Sequence, residues 1–325
     1  MEKLYAGLDI HKENLAGCIM NKEGTITREH TFPSSKKAIE RFFTGIPSPG
    51  IIIAIEACGM WRGTHKILTN LGYEVKLANP KKTHDIACKK KTDTVDAKIL
   101  ADLLRTQYLP EVWIPDKQTL QFRDLTRHKT NLTRLRTQVL GKIRGYLLRK
   151  GMKYTKLSTE KTLQSLAEED PDINNLVQVY HCLKQEEKEV LKRIKKIAQN
   201  MKTTTMLMSM PGIAELSSLM ILAEIGDIHR FPSSKQLVSY AGLCCGIYQT
   251  GNTQRTVRNT AVNKWLKWII YECSGRAIMI EPRFKTYYYK IKEKKGFKTA
   301  RRATARKMLT IIWYMLTNEE PYRAS

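Results

Sequence analysis

The chain has 325 residues, enough for two or three domains with cores of their own. Its 56 Lys and Arg against 31 Asp and Glu give a net charge of +25, which opposes compaction and favours a polyanionic partner, most often nucleic acid. No run of about 18 apolar residues occurs, so no membrane partner is expected, and the polar start Met1-Glu2-Lys3 does not read as a signal peptide. Seven scattered cysteines with no Cys-x-x-Cys pair point to reduced thiols in the cytoplasm, not to a disulfide framework or a zinc site.

Residues 3–10, 15–20 and 25–32 are β-prone runs separated by short turns, a pattern that predicts an antiparallel meander. Ser34-Ser35 caps a short helix containing Ile39, Phe42 and Phe43 and closed by Gly45. Ile51-Ile52-Ile53-Ala54-Ile55 is continuously apolar, as a strand buried on both faces requires. A helix over 60–71 and a strand over 73–78 follow, the strand ended by Asn79-Pro80. A basic stretch then leads to a helix that starts after Thr92 and carries Val95, Ile99, Leu100, Leu103 and Leu104.

Acids stand at three of these element ends. Asp9 closes the first strand, Glu56 closes the apolar fourth strand, and Asp93 and Asp96 fall in the first turn of the last helix. At i and i+3 the last two share one helix face. Carboxylates suit the positive end of a helix in any case, so that pair alone has a purely structural explanation. Four acids gathered at one sheet edge would repel one another without a counter-ion, and a divalent metal with hard oxygen ligands supplies one. Two such ions about 4 Å apart serve phosphoryl transfer. Asp85 and Asp102 fall outside this pattern, Asp102 as an outer-face helix residue.

The order β-β-β-α-β-α-β-α is that of the ribonuclease H-like fold. Within that fold, Gly7-Leu8-Asp9-Ile10-His11-Lys12, Ile55-Glu56-Ala57-Cys58-Gly59, Asn79-Pro80 and Lys91-Thr92-Asp93-Thr94-Val95-Asp96-Ala97 resemble the DEDD transposases of the insertion-sequence 110 type. That family carries a RuvC-like domain. The resemblance implies that Asp9, Glu56, Asp93 and Asp96 form a tetrad holding Mg²⁺, with Mn²⁺ as the alternative ion. Lys81, Lys82, Lys89, Lys90 and Lys91 would then meet phosphates beside the scissile one, giving affinity and register but no sequence choice.

Residues 110–116 mark a boundary, so a catalytic domain over 1–115 is expected. Leu125, Leu132, Leu135, Val139, Ile143 and Tyr146 then recur at helical steps, as do Leu176, Tyr180, Leu183, Val190, Ile194 and Ile197 over about 173–200. Two such helices joined by a polar loop predict an antiparallel coiled-coil hairpin or dimerising arm over 116–203. Residues 118–153 hold ten Lys and Arg against Asp124 alone. That face, with Arg127, Arg134 and Arg144, is expected to contact nucleic acid.

A mostly helical C-terminal domain is expected over 204–325. Met210-Pro211-Gly212-Ile213 followed by the apolar run Leu216 to Glu224 resembles a helix-hairpin-helix element, whose turn offers backbone N–H groups to a phosphate. Pro211-Gly212-Ile213, Ile225-Gly226-Asp227, Phe231 and Tyr240-Ala241-Gly242-Leu243 also resemble the C-terminal domain of the same family. There a serine just beyond the Ala-Gly-Leu, directly before a glycine, forms a covalent link to DNA. Here that position is Thr250 in Gln249-Thr250-Gly251. A threonine hydroxyl can attack phosphorus, although its methyl group restricts χ1. Thr253 or Thr256 taking over, or impaired strand exchange, are the alternatives. Arg255 and Arg258 would neutralise the transferring phosphate, unless they make ordinary backbone contacts.

Residues 261–280 read as an apolar helix with Trp265 and Trp268 in its core. Residues 281–307 carry eleven Lys and Arg, among them Lys294, Lys295, Arg301 and Arg302, interleaved with Tyr287-Tyr288-Tyr289 and Phe297. Cations among aromatics suit unpaired or structured nucleic acid. Lys294-Lys295-Gly296 is expected to be a loop before a helix over 299–317.

The resemblance implies a recombinase that cleaves and exchanges double-stranded donor and target DNA through a covalent hydroxyl–DNA intermediate. It further implies a structured guide (bridge) RNA and a homodimer or homotetramer, with one protomer's tetrad meeting another's nucleophile, at the nucleoid. A pilin-gene type site-specific invertase, a Holliday-junction-type nuclease using water, and a non-enzymatic nucleic-acid-binding protein on the same scaffold are the alternatives.

Overall fold

The structure is a computed structural model describing residues 3–87, 93–152, 157, 159–244, 246–250, 253–257 and 262–323, with 246–250 and 253–257 as backbone. Lys89, Lys90, Lys91 and Arg258 therefore lie outside the described residues. The chain divides into two compact units, Met1–Ile114 and Pro115–Ser325.

In the first unit the strands are β1 (Leu4–Ile10), β2 (Asn14–Met20), β3 (Ile26–Pro33), β4 (Ile51–Glu56), β5 (Glu74–Ala78) and β6 (Glu111–Val112). The helices are α1 (Lys36–Phe42), α2 (Trp61–Asn70), α3 (Pro80–Ala87) and α4 (Asp93–Arg105). The six strands form one mixed sheet in the order β3-β2-β1-β4-β5-β6. β1, β4 and β5 run parallel, with Leu8 opposite Ile55 and Glu56 opposite Ala78. The meander β1-β2-β3 is antiparallel, and so is the short β6 against β5.

The apolar run of β4 is central because parallel neighbours flank it on both sides and helices cover it. Ile53, Ala54 and Ile55 are completely buried, each large side chain stabilising the unit by roughly 1.5–3 kcal/mol. One face packs on Ile39 and Phe42 of α1 and on Phe43 just after it, with Leu68 of α2 beside them. Ala54 and Ala78 meet Leu100, Leu103 and Leu104 of α4.

Two elements of this unit differ from expectation. Asn79-Pro80 does not merely end a strand: it starts α3, because Asn79 Oδ1 accepts from Lys82 N at 3.1 Å and a proline at the first helical position has no N–H to waste. Residues 110–116 hold the two-residue edge strand β6, too short to leave a pattern.

In the second unit, α5 (Lys117–Arg149) and α7 (Pro171–Gln199) are the long helices expected of the arm. Leu132 packs with Val190 and Ile194, while Ile143 and Leu147 pack with Ile173, Val177 and Tyr180. Advancing along α5 thus retreats along α7, so the two helices are antiparallel. The connection is not a plain polar loop. It contains α6 (Glu160–Glu169), whose Leu163 and Leu166 complete the distal core. Leu135, expected in the seam, is 48% exposed.

The remaining elements are α8 (Lys202–Met208), α9 (Glu215–Ile225), α10 (Ser234–Tyr240), β7 (Gly246–Thr250), β8 (Thr253–Val257), α11 (Lys264–Ile280) and α12 (Pro282–Asn318). The largest core of the unit joins α9, α10, α11 and α12. The Pro211-Gly212 turn links α8 and α9 with Gly212 at φ 89°. A Cβ there would lie 2.4 Å from the Cys273 carbonyl of α11, so the glycine serves close packing inside the protein. The expected loop at Lys294-Lys295-Gly296 is instead one residue of non-helical backbone, Gly296 at φ 76° and ψ 170°, kinking an otherwise helical α12. Among the described residues no helix is long and apolar enough to cross a membrane.

Candidate active site

Asp9 is the penultimate residue of β1 and Glu56 the last of β4. Because Leu8 and Ile55 are register partners in parallel strands, the two acids leave the sheet at one level. Asp93 and Asp96 occupy the first turn of α4. What draws α4 in is Gly7. A Cβ on it would lie 2.1 Å from the Ala97 carbonyl and 2.6 Å from the Ala101 amide, so only glycine lets the helix backbone reach β1. Gly7 stands two residues before Asp9, and Ala97 one turn beyond Asp93. The close approach therefore brings the helix start to the strand end.

Asp9 is buried. Burial pushes its carboxyl upward from the ordinary range, the nearby His11 opposes this, and the like charges of Asp96 and Asp93 push it further up. His11 Nε2 lies 3.0 Å from Asp9 Oδ2 and 3.2 Å from Asp93 Oδ1. Burial alone would lower the imidazole, but the two carboxylates outweigh it and raise it. The ring thus stands between two acids that repel each other when both are ionised.

Ligand atoms of Asp9, His11 and Asp93 all fall within 4.8 Å of one another. Asp96 acts on Asp9 through its charge without belonging to that group, and Glu56, half-buried at the adjacent strand end, also stands outside it. A buried carboxylate facing two more acids calls for positive charge, and carboxylate oxygens are the hard donors that Mg²⁺ and Mn²⁺ take. The residues therefore fit a divalent cation.

His11 is the member of this cluster that was not assigned a role from sequence. Its signal is the spacing: residues two apart at the end of an extended strand share a face, and Asp9-Ile10-His11 has that spacing. Asp102 lies outside the cluster, exposed and paired with Arg105 at 2.6 Å. Asp85 pairs with His84 at 3.8 Å.

The cations expected to meet nucleic acid divide by position. Lys81 and Lys82 are exposed on α3 and Arg134 and Arg144 on α5. Lys294, Lys295 and Arg302 are exposed on α12. Arg127 turns inward, its Nε and Nη2 each 2.8 Å from the carboxylate of buried Glu224. Arg301 is half-buried and donates to the Tyr271 carbonyl at 3.0 Å. Of the interleaved aromatics, Tyr288 is a core residue. Thr250 ends β7 and pairs with Thr253 of β8, and Arg255 pairs with Tyr248. Their side chains are outside the described part.

Parallel strands thus bring two acids to one edge of the sheet, and the first turn of α4 carries two more. Comparison with known proteins gives the family. Residues 6–151 match the IS110-type DEDD family profile described as Transposase, and residues 204–289 match the Transposase IS116/IS110/IS902 family. The chain is 25% identical over 291 residues to the transposase for insertion sequence element IS1111A of Coxiella burnetii, covering 83% of this chain and 79% of that one. A probable family 20 transposase of Pseudomonas aeruginosa is 21% identical over 98% of each chain. The transposase for insertion sequence element IS1328 of Yersinia enterocolitica is 22% identical over 75% of each.

The chain belongs to the IS110 family of DEDD transposases. Transposases are DNA-cleaving and DNA-joining enzymes, and DNA is the substrate the family implies.

Proposed function

We propose that this chain is the recombinase of an insertion sequence, with a RuvC-like, ribonuclease H-like catalytic unit whose acids Asp9, Glu56, Asp93 and Asp96 hold Mg²⁺. The observation that carries this is the convergence of Asp9, at the end of a central strand, with Asp93 in the first turn of α4. A bound divalent ion would supply charge neutralisation at the scissile phosphate. The chain's own residues orient and balance the site: Gly7 sets the approach of α4, and His11 holds Asp9 and Asp93 together.

The nucleophile is the hydroxyl of Thr250. Its Oγ forms a bond to phosphorus as the bond from phosphorus to the leaving deoxyribose oxygen breaks. The hydroxyl proton passes to solvent and the leaving oxygen takes one up. One phosphodiester replaces another, so the link is reversible and can be resealed onto a second strand. The backbone of the β7–β8 pairing puts Thr250 at a strand end beside Thr253, and its place directly before a glycine supports the reading. The exposed cations of α3, α5 and α12 support long contact with DNA and with a structured guide RNA. The composite site, in a homodimer or homotetramer, joins one protomer's acids to another's Thr250.

A suicide DNA that traps the covalent intermediate tests this. The wild-type chain should form a protein–DNA adduct only with divalent metal, and Thr250→Ala and Asp93→Asn should form none. Adducts that persist in Thr250→Ala would move the role to another hydroxyl, and metal-dependent cutting without any adduct would favour a water-using nuclease.

A further inference from the structure

Glu224 is the one charged side chain among the described residues that is completely buried. Its place in the fold explains why a charge is kept there. Arg127, on the arm helix α5, donates Nε to Glu224 Oε1 and Nη2 to Oε2, both at 2.8 Å. This planar two-point pairing fixes both groups in orientation. Asn263 donates Nδ2 to Glu224 Oε2 at 2.8 Å and to the Tyr240 hydroxyl at 3.0 Å. The Tyr240 hydroxyl donates in turn to the Glu224 carbonyl at 3.4 Å. Arg123, one turn before Arg127, donates to the Ala223 carbonyl at 2.7 Å and to the Glu224 carbonyl at 3.2 Å.

Tyr240 and Asn263 bracket the segment that contains the β7–β8 hairpin. Chain leaves for the hairpin just after Tyr240-Ala241-Gly242-Leu243 and returns at Val262-Asn263. The two ends are tied: Asn263 N donates to the Tyr240 carbonyl at 2.8 Å, and a Cβ on Gly242 would lie 2.8 Å from Val262 Cγ1. Asn263 also caps α11, its Oδ1 accepting from Leu266 N at 2.9 Å. One carboxylate thus holds the root of the hairpin and the base of the arm in a single hydrogen-bonded unit. A buried pair of this kind contributes geometry more than net stability, and breaking one side leaves the other uncompensated.

We propose that Glu224, Arg127 and Asn263 are positioning residues that couple the orientation of the arm helix α5 to the hairpin carrying Thr250. The catalytic consequence rests on the reading of Thr250 as nucleophile; the mechanical coupling does not.

The test uses the full chain, with three single variants at two of the residues that bond Glu224 and one double variant. Asn263→Ser keeps a cap for α11 but loses both Nδ2 donations. Arg127→Gln removes the two-point partner, at a side chain that is 31% exposed, and leaves Arg123 Nε 3.9 Å from Glu224 Oε2; Arg127→Lys restores charge without the two-point geometry. Hydrogen exchange is followed over residues 246–257, over α12, and alongside covalent adduct formation and DNA affinity.

Asn263→Ser and Arg127→Gln should each speed exchange over 246–257 and lower the adduct rate about tenfold or more, with DNA affinity changed less than about threefold. Exchange over α12 should stay as in the wild type. Because both act through Glu224, the double variant should be no worse than the worse single within about twofold. Lysine should rescue only part of the loss. Unchanged exchange over 246–257, losses that multiply, or losses that track a general loss of protection across α12 would each overturn the coupling. If one variant does not fold, the other gives the same exchange readout. Faster exchange together with adducts that persist in Thr250→Ala would keep the coupling and reject Thr250 as nucleophile.

Discussion

His11 Nε2 stands 3.0 Å from Asp9 Oδ2, a pairing between the first residue beyond a central strand and the buried acid two positions before it. With Asp93 only 3.2 Å away on the other side, the imidazole occupies the point where two carboxylates of the site converge. Its protonated form is favoured because it stands in for the positive charge the acids require.

That placement predicts the titration of His11. In metal-free protein its imidazole should titrate above the ordinary 6.5. In Asp93→Asn, which removes one of the two charges that raise it, the midpoint should move down. Two-dimensional NMR of the imidazole resonances as pH is varied measures both. A wild-type midpoint at or below the ordinary value would contradict the bridging geometry.

Gly7→Ala should separate the helix from the sheet. The added Cβ meets backbone atoms at 2.1 and 2.6 Å, which no side-chain rotation relieves. Overpacking of this kind costs about 1–3 kcal/mol, occasionally more. The denaturant midpoint should fall accordingly, and DNA cleavage should fall more steeply, because Asp93 and Asp96 move with α4. Gly59→Ala has no atom within 4 Å of the new Cβ and should leave the denaturant midpoint near that of the wild type. Equal midpoints for the two variants would show that the close approach does not matter.

The distal end of the arm should be sensitive to acid. Asp170 caps α7, accepting from the Asp172 and Ile173 amides, and also meets Lys150 and the Tyr146 hydroxyl. The Lys150 bond, foremost, holds its carboxyl down at about 2, below the ordinary 3.8. A pKa that is lower in the folded state means stability present above the unfolded value and lost as pH falls through the folded one. The arm should therefore weaken between about pH 4 and pH 2. Thermal melts at stepped pH should show a flatter dependence in that window for Asp170→Asn. An identical dependence in both proteins would remove Asp170 as the source.

Much of the first unit was legible in the sequence because its signals are local. The unbroken apolar run of β4 could only be central, and Asp9 and Glu56 announce strand ends by standing directly after apolar residues. The chain order of strands and helices was legible as far as β5. The edge strand β6 is two residues long and left no period. The helix α3 was hidden because Asn-Pro has two meanings, and only the Asn79 bond to the Lys82 amide chooses the cap.

In the second unit, the long periodic helices and the apolar run of α9 were readable and α6 was not. The helix α6 buries just Leu163 and Leu166, so its polarity resembled a loop. Cation-rich faces overstated nucleic-acid contact at Arg127, since nothing in the spacing of α5 reveals that Glu224, about a hundred residues downstream, is buried against it. His11 was visible as part of a motif, but its role depends on Asp93 arriving from another element.

The central claim, that the acids of the first unit hold a divalent cation, is tested most directly by calorimetric titration of the 325-residue chain with Mg²⁺ and with Mn²⁺, without DNA. Wild type should bind, Asp9→Asn and Asp93→Asn should lose that heat, and Asp102→Asn, outside the cluster and paired with Arg105, should retain it. Binding that survives in Asp9→Asn and Asp93→Asn alike would contradict the assignment of the metal to these acids.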